Sequence, residues 1–265
     1  INGLSLGSGY AIIALGYTMV YGIAKMLNFA HGDVIMVGAY SGIVAVAQLG
    51  LSPWVTVIVS IVVCAVLGGV IEFCAYKPLR QAAPLSVLIT GIGVSYLLQN
   101  AALLIFGSQQ MAYPTLVKLP GFTVGGVHVD GITVLTLAVT AALMIALTLF
   151  IDKTKLGKAM RAVSEDKNAA TLMGISVDRT ITLTFAIGSA LAAVAALDIC
   201  SAYPTLSSQT GAMPGIKAFV AAVLGGIGSI PGAVIGGVLI GIIEILSRSY
   251  ISSQMADAIV FAVLI

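Results

Sequence analysis

Long apolar runs separated by short polar turns dominate this sequence, and they restrict its possible folds more than any other feature. Hydrophobic residues make up 59% of the 265 residues and charged residues only 8%, whereas about 25% charged is usual in soluble domains. A helix needs about 20 apolar residues to cross a bilayer, so the chain has room for about eight or nine transmembrane helices. The runs are 2–23, 34–49, 54–76, 84–106, 132–151, 180–202, 216–227, 233–246 and one that starts at residue 259.

These runs predict an all-α, polytopic integral membrane protein with a single transmembrane domain over residues 1–265. The runs 34–49 and 216–227 are too short to cross a bilayer alone, so we expect two broken or short segments. The chain starts without a Met and stops inside an apolar run, and we expect both ends to be truncated. The sequence contains 30 glycines and one Trp, which favours close packing of helices through small residues.

One segment, 152–179, collects much of the charge. It contains six of the twelve Lys and Arg residues: Lys153, Lys155, Lys158, Arg161, Lys167 and Arg179. Together with Lys25, Lys77 and Arg80 they place nine basic residues on one side of the membrane, against Lys118, Lys217 and Arg248 on the other. Because basic loops stay in the cytoplasm, 152–179 is predicted to be cytoplasmic and residue 1 to lie outside. The small net charge of +2 indicates no nucleic-acid partner.

The segment 152–179 has the signals of a short helix over residues 165–173. Ser164 is a typical N-cap residue, the acids that follow it suit a first turn, and Gly174 is a typical residue just beyond a helix end. Ala169, Leu172 and Met173 then share one face. Such an apolar face either docks into a groove on a partner or lies back on the membrane surface or on the cytoplasmic ends of the spans.

Residues in this segment resemble a known family. Asn168-Ala169-Ala170, followed after three residues by Gly174, is similar to the EAA-xxx-G loop of permease subunits of bacterial ABC importers. The run 161–188 more narrowly resembles the LivH-type permeases of branched-chain amino-acid importers, as do the runs 28–33 and 224–237. Asn168 stands where the motif has its Glu, so no charged contact carries over to that position.

The resemblance implies a multi-pass permease subunit of the bacterial inner membrane that provides the path for branched-chain or related neutral amino acids. It implies two ATP-binding subunits that hold ATP and Mg, a second homologous permease subunit and a periplasmic substrate-binding protein. This chain itself would carry no cofactor and no ATP site. The coupling residues would be Glu165, Asp166, Asn168, Ala169, Ala170, Leu172, Met173 and Gly174. Related permeases carry urea or amides, so that substrate class stays open.

Polar residues inside apolar runs are the candidates for a translocation path. Asn28, His31 and Asp33 lie together between two such runs, where they either cap two helix ends at the cytoplasmic rim or line the path. Gly228 and Gly232 mark a second break, with GxxxG spacing that also suits tight packing. Asp198 is near the predicted outer side and would meet a substrate ammonium group, unless it serves packing within the bundle.

Other classes of function find little support in the sequence. Gly157-Lys158 is followed by Ala159 and not by the Ser or Thr of an ATP-binding loop, and no GxSxG or HExxH motif occurs. The three cysteines and two histidines suggest no metal site, and Cys64, Cys74 and Cys200 are interpreted as small packed residues. An ion-coupled secondary transporter would rest on Asp198 and Glu244 alone.

Overall fold

The computed structural model describes residues 1–114, 120–124 and 127–264, which are mostly helical. The helices within these residues are α1 (Asn2–Ala24), α2 (His31–Ile43), α3 (Pro53–Ile71), α4 (Pro84–Phe106), α5 (Gly131–Lys153), α6 (Lys155–Glu165), α7 (Lys167–Leu172), α8 (Val177–Ala202), α9 (Ala212–Leu224), α10 (Ile230–Tyr250) and α11 (Ala256–Ala262).

Short extensions and strand pairs complete the fold. A π-helical turn, Val44–Gln48, extends α2, and Glu72–Tyr76 with the 3₁₀ turn Lys77–Leu79 extends α3. Strand β1 (Met111–Ala112) pairs antiparallel with β4 (Thr205–Leu206), so the loop after α4 is joined to the loop after α8. Strands β2 (Phe122–Val124) and β3 (Val127–Val129) form a second antiparallel pair.

Six helices are long and apolar enough to cross a membrane: α1, α3 with its extension, α4, α5, α8 and α10. The two short segments predicted from the sequence correspond to α2 and α9, each of 13 residues. Helix α11 accounts for the last apolar run. The prediction of an all-α polytopic membrane protein is confirmed, and its eight or nine segments divide into six full spans and these shorter helices.

Helix α1 lies at the centre of the bundle. It has the lowest hydropathy of the six spans, yet 83% of its apolar window is buried by other helices. Close contact with α10 explains this burial, because a Cβ on Gly7 would lie 2.7 Å from the Val238 Cα. Small residues therefore allow the two backbones to touch, as expected for helices packed in lipid.

Helices α3, α4 and α5 form the periphery. Only 28%, 11% and 17% of their respective apolar windows are buried, so these helices present most of their side chains to lipid or to another subunit. Cys64 and Cys200 are buried, as predicted for small packed residues. That interpretation is wrong for Cys74, which is exposed on the extension of α3.

The first break in the bundle lies between α1 and α2. The chain turns at Lys25, whose φ of 59° is left-handed, and α2 does not begin until His31. A Cβ on Gly16 would lie 2.5 Å from the His31 Nε2 atom. Because Gly16 is about 12 Å before the end of α1, residues 25–30 run back along α1 and α2 starts deep in the bundle.

The second half-length helix, α9, starts against the first. A Cβ on Gly32 would lie 2.6 Å from the carbonyl oxygen of Gly211, the residue before α9. At its other end, α9 is separated from α10 by residues 225–229, which include the left-handed glycines Gly226 and Gly228. A Cβ on Gly22 would lie 3.2 Å from the Gly228 Cα, so this break lies at the end of α1 that also meets the charged loop.

The charge count across the membrane changes in one respect. Lys217 was counted among the basic residues of the outer side, but it lies in α9 and is buried. Lys217 pairs with Glu244 and Asp257, so it is not a loop charge that counts toward orientation. Lys118 lies outside the described residues. The remaining basic residues still lie mainly on the side of 152–179, and the cytoplasmic position of that segment stays a prediction.

Candidate coupling helix and translocation path

The segment 152–179 folds as two helices. Thr154 caps α6 by accepting a hydrogen bond from the backbone N–H of Gly157 (2.9 Å). Asp166 caps α7 by accepting from the N–H groups of Asn168 (2.7 Å) and Ala169 (3.0 Å). The prediction of a helix over 165–173 capped by Ser164 is wrong at its start, because Ser164 instead donates to the carbonyl of Arg161 (2.7 Å).

The end of α7 is as predicted. Gly174 has a φ of 80°, a left-handed conformation that a side chain would strain. Its N–H donates to the carbonyl of Thr171 (2.9 Å), and the N–H of Ile175 donates to the carbonyl of Ala170 (3.0 Å). These two bonds form a Schellman motif. Helix α7 therefore has defined caps at both ends even though it has only six residues.

The predicted apolar face of α7 is open. Leu172 is 88% exposed and Met173 is 82% exposed, and Asn168 and Ala169 are exposed beside them, whereas Ala170 is buried. The alternative that this face lies back on the ends of the spans is therefore wrong for the described structure. Helix α7 therefore exposes a small patch of apolar side chains that has no protein partner among the described residues.

Helix α7 is tied to the end of α1. The Lys167 ammonium donates to the carbonyl of Ala24, the last residue of α1 (3.3 Å). Burial, helped by the nearby charges of Arg80 and Lys25, lowers the pKa of Lys167. Behind it, Arg80 donates to Glu72 and Asp178, which joins the extension of α3 to the start of α8.

The three polar residues of the first break lie deep in the bundle and are buried. Tyr76 donates to the Asn28 side-chain oxygen (3.1 Å), and Gln99 of α4 donates to Asp33 (2.9 Å). The His31 ring packs on Tyr17 at 4.6 Å between centroids, and neither of its nitrogens has a hydrogen-bond partner among the described residues. The interpretation of these residues as helix caps at the cytoplasmic rim is wrong, since α2 has no side-chain cap.

The two glycines of the second break differ in their surroundings. A Cβ on Gly232 would lie 1.9 Å from the Gly225 carbonyl oxygen, so Gly232 serves close packing. Gly228, with a φ of 101°, lines a cavity of about 560 Å³ between the ends of α1 and α5, helix α6 and the break. Only Gly228 of this pair therefore faces open space.

Asp198 and Glu244 differ in their partners. Asp198, near the end of α8, accepts a hydrogen bond from the Thr136 hydroxyl and borders a cavity of about 340 Å³. Glu244 of α10 is buried and accepts from Tyr10 (2.8 Å), Lys217 (2.7 Å) and Arg248. The packing interpretation therefore fits Glu244, whereas Asp198 faces open space.

Comparison with known proteins decides the family. Residues 1–265 match the family model described as "Branched-chain amino acid transport system / permease component". The chain belongs to this family. The high-affinity branched-chain amino acid transport system permease protein BraD of Pseudomonas aeruginosa is 46% identical over 279 residues, which cover 100% of this chain and 90% of that protein. The permease protein LivH of the corresponding system of Escherichia coli K12 is 45% identical over 277 residues, with the same coverage.

A solved structure shares the fold of this permease. PsaBC from Streptococcus pneumoniae in complex with a Fab matches with a TM-score of 0.51 over 99% of this chain and 88% of that chain. The two sequences are only 15% identical, so the likeness concerns the fold alone. Membership of the family makes this chain a membrane transport component and not an enzyme, as the resemblance of its three motifs implied.

Sequence reasoning missed the residues that hold the segment 152–179 of this permease in place. Met160 and Val163 of α6 are buried against the bundle, and their i, i+3 spacing was the available signal. The bond from Lys167 to the end of α1 had no signal, because the acceptor is a backbone carbonyl. Gln99 beside Asp33 was also missed, since the two residues are 66 positions apart.

Proposed function

We propose that the chain is the transmembrane permease subunit of a bacterial ABC importer for branched-chain amino acids. It would work in the inner membrane with a second homologous permease subunit, two ATP-binding subunits that hold ATP and Mg, and a periplasmic substrate-binding protein. The observation that carries the proposal is the exposed apolar face of α7 in a chain whose whole length belongs to the permease family.

The coupling role of α7 rests on how it is held. Its two caps give a six-residue helix a fixed shape, and Leu172 and Met173 extend from it into solvent. The docking site for an ATP-binding subunit would be Asn168, Ala169, Leu172 and Met173, because these exposed residues form one surface. Asp166, Ala170 and Gly174 would position that surface and Glu165 would end the helix before it, so none of these four needs to touch the partner.

A movement of α7 has a route to the centre of the bundle. Lys167 joins α7 to the last carbonyl of α1, and α1 packs on α8, α9 and α10. Residues 25–30, which lack regular helix, follow directly. ATP-driven closure of the ATP-binding subunits would therefore reach the break between α1 and α2 through α1 itself.

The solute would pass near the meeting point of α2 and α9. Asn28, His31 and Asp33 lie there, and the unpartnered His31 ring borders a cavity of only about 10 Å³. That volume admits at most a water molecule, so the path is closed at this point. Gly228 faces the larger cavity on the cytoplasmic side and would line the exit.

A secondary transporter is the weaker alternative for a structural reason. Ion coupling needs an acidic group that gains and loses a cation at membrane depth. Glu244 is held by Lys217 and Arg248, so it lacks the freedom for that role. The alternative then rests on Asp198 alone, which lies near the end of α8 and beside an open cavity.

The test is uptake by a reconstituted complex. The chain is co-expressed with its second permease and ATP-binding subunits, placed in proteoliposomes, and supplied with binding protein loaded with radiolabelled leucine. We expect uptake that needs ATP inside and survives ionophores. Competition by urea or acetamide at the binding protein would instead favour the amide class, and uptake driven by an ion gradient without ATP would refute the importer assignment.

A further inference from the structure

A polar cavity opens at the outer end of the bundle, opposite the coupling helix. It has a volume of about 340 Å³ and lies among the first residues of α1 and α5 and the last residues of α8. Its polar lining consists of Asn2, Ser5, Asp130, Thr133, Asp198, Ser201 and Tyr203. No Lys or Arg lines it within the part of the chain that the structure describes. The cavity is therefore large enough for an amino acid and bears only negative formal charge.

Asp198 is the half-buried end of this cavity. The Thr136 hydroxyl donates to one carboxylate oxygen, Oδ1. The other oxygen lies next to Gly9, where a Cβ would be 3.2 Å from Oδ2. A side chain at position 9 would crowd this oxygen, whereas glycine leaves room beside it. One carboxylate oxygen is thus held by Thr136, and the other has no hydrogen-bond partner among the described residues.

Glu72 and Glu244, the two buried glutamates of the spans, each have a cation beside them, whereas Asp33 and Asp198 have none among the described residues. Of these two aspartates, only Asp198 lines the cavity. Glu72 pairs with Arg80, and Glu244 pairs with Lys217 and Arg248. Among the described residues, Asp198 forms no salt bridge. A half-buried carboxylate without a positive partner is incompletely compensated, so a cation from outside the chain would complete this site.

We propose that this cavity binds a primary ammonium group, with Asp198 as its counter-ion. The Asp198 oxygen and the hydroxyl groups of Ser5 and Thr133 line the same cavity and can accept the three N–H donors of an ammonium group. The Thr133 hydroxyl donates to Ser5 (3.2 Å), which leaves lone pairs on both oxygens. The inference rests on the proposed function in one respect, because the amino end of the delivered amino acid is the natural source of that group. An inorganic cation carries the charge but not the N–H donors.

Protection of an engineered cysteine tests the site directly. The whole complex is placed in nanodiscs with Cys74→Ser, which removes the exposed native thiol, and Ser201→Cys, which puts a thiol in the cavity lining. Labelling by an uncharged, membrane-impermeant maleimide is timed with n-butylammonium chloride, n-butanol or NaCl. At about four times its Kd, n-butylammonium should slow labelling about fivefold, while n-butanol and NaCl should leave the rate unchanged.

Two variants test whether protection of the thiol by n-butylammonium depends on the Asp198 carboxylate. Asp198→Asn keeps the shape and an acceptor for Thr136 but removes the charge, and it should abolish protection. Asp257→Asn is the matched control, since Asp257 lies outside the cavity and its partner Lys217 retains Glu244; protection should persist there. The proposal is overturned by no protection in the parent, by equal protection with NaCl or n-butanol, by protection that survives Asp198→Asn, or by its loss in Asp257→Asn.

The assay separates the site from the transport assignment. It uses neither ATP nor binding protein, so a negative result removes the ammonium site and leaves ATP-driven uptake as the separate test of the importer. Conversely, a complex without ATP-driven uptake would refute the importer even if n-butylammonium protects the thiol.

Discussion

Replacing Leu172 by Asp should detach the ATP-binding subunits without unfolding the permease. Full burial of a Leu side chain contributes roughly 1.5–3 kcal/mol. Leu172 is 88% exposed in the chain by itself, so docking would gain most of that amount, about 2 kcal/mol. Losing it weakens binding about 30-fold, and an unpaired carboxylate in the contact weakens binding further.

Leu172→Asp should leave the stability of the folded permease unchanged. An exposed position contributes little to stability, and changes there are usually within about 0.5 kcal/mol. The unfolding temperature of Leu172→Asp in detergent should therefore match that of the parent. Ile251→Asp is the matched control, because Ile251 is an exposed aliphatic residue (65%) just after α10, at the outer side.

The assay is co-purification with ATP-binding subunits, titrated to give a Kd. Leu172→Asp should lose the subunits and Ile251→Asp should retain them. Parent-like binding by Leu172→Asp would refute the docking role of α7. Loss of binding in both variants would show that an added negative charge weakens binding of the ATP-binding subunits wherever it is placed on the permease.

Three further predictions concern stability. Gly174→Ala should destabilise the end of α7 by about 1 kcal/mol because of the positive φ, measured as faster hydrogen exchange in α7; unchanged exchange would contradict the Schellman cap. Lys217→Met should lower stability by about 3–5 kcal/mol by leaving Glu244 without its ammonium partner, measured by thermal unfolding; parent-like unfolding would show that Arg248 suffices. Gly241→Ala puts a Cβ 2.2 Å from the α1 backbone and should cost about 1–3 kcal/mol, whereas Gly93→Ala, with nothing within 4 Å, should be neutral in the same assay.

Local sequence signals predicted what depends on local physics. Apolar runs located the spans, and Gly174 marked the end of α7 because only a residue tolerant of positive φ fits there. The start of α7 was misplaced because Ser164 and Asp166 are both good caps. The choice between them depends on α6, whose buried Met160 and Val163 hold residues up to 165 in another helix.

Features that join distant parts of the chain could not be predicted. Lys217 and Glu244 lie in separate apolar runs, and only the half-length of α9 brings them together. The sequence also did not predict that residues 25–30 run back along α1. It indicates that the helix ends there but not in which direction the chain continues. For the candidate path, the sequence predicted His31 and Asp33 as candidate lining residues but did not predict their depth in the bundle. That depth follows from the contact between His31 and Gly16 in the middle of α1.

The central position of α1 has a consequence for how the protein is made. The bond from Tyr10 to Glu244 joins residues 234 positions apart, and at about 5–20 residues per second the ribosome needs roughly 10–50 s to cover that distance. During this time α1 has no α10 to touch, and its glycine-rich faces meet lipid. Helix α1, which has the lowest hydropathy of the six spans, is therefore in the bilayer before α10 has been synthesised. Its final packing is a late step of biogenesis.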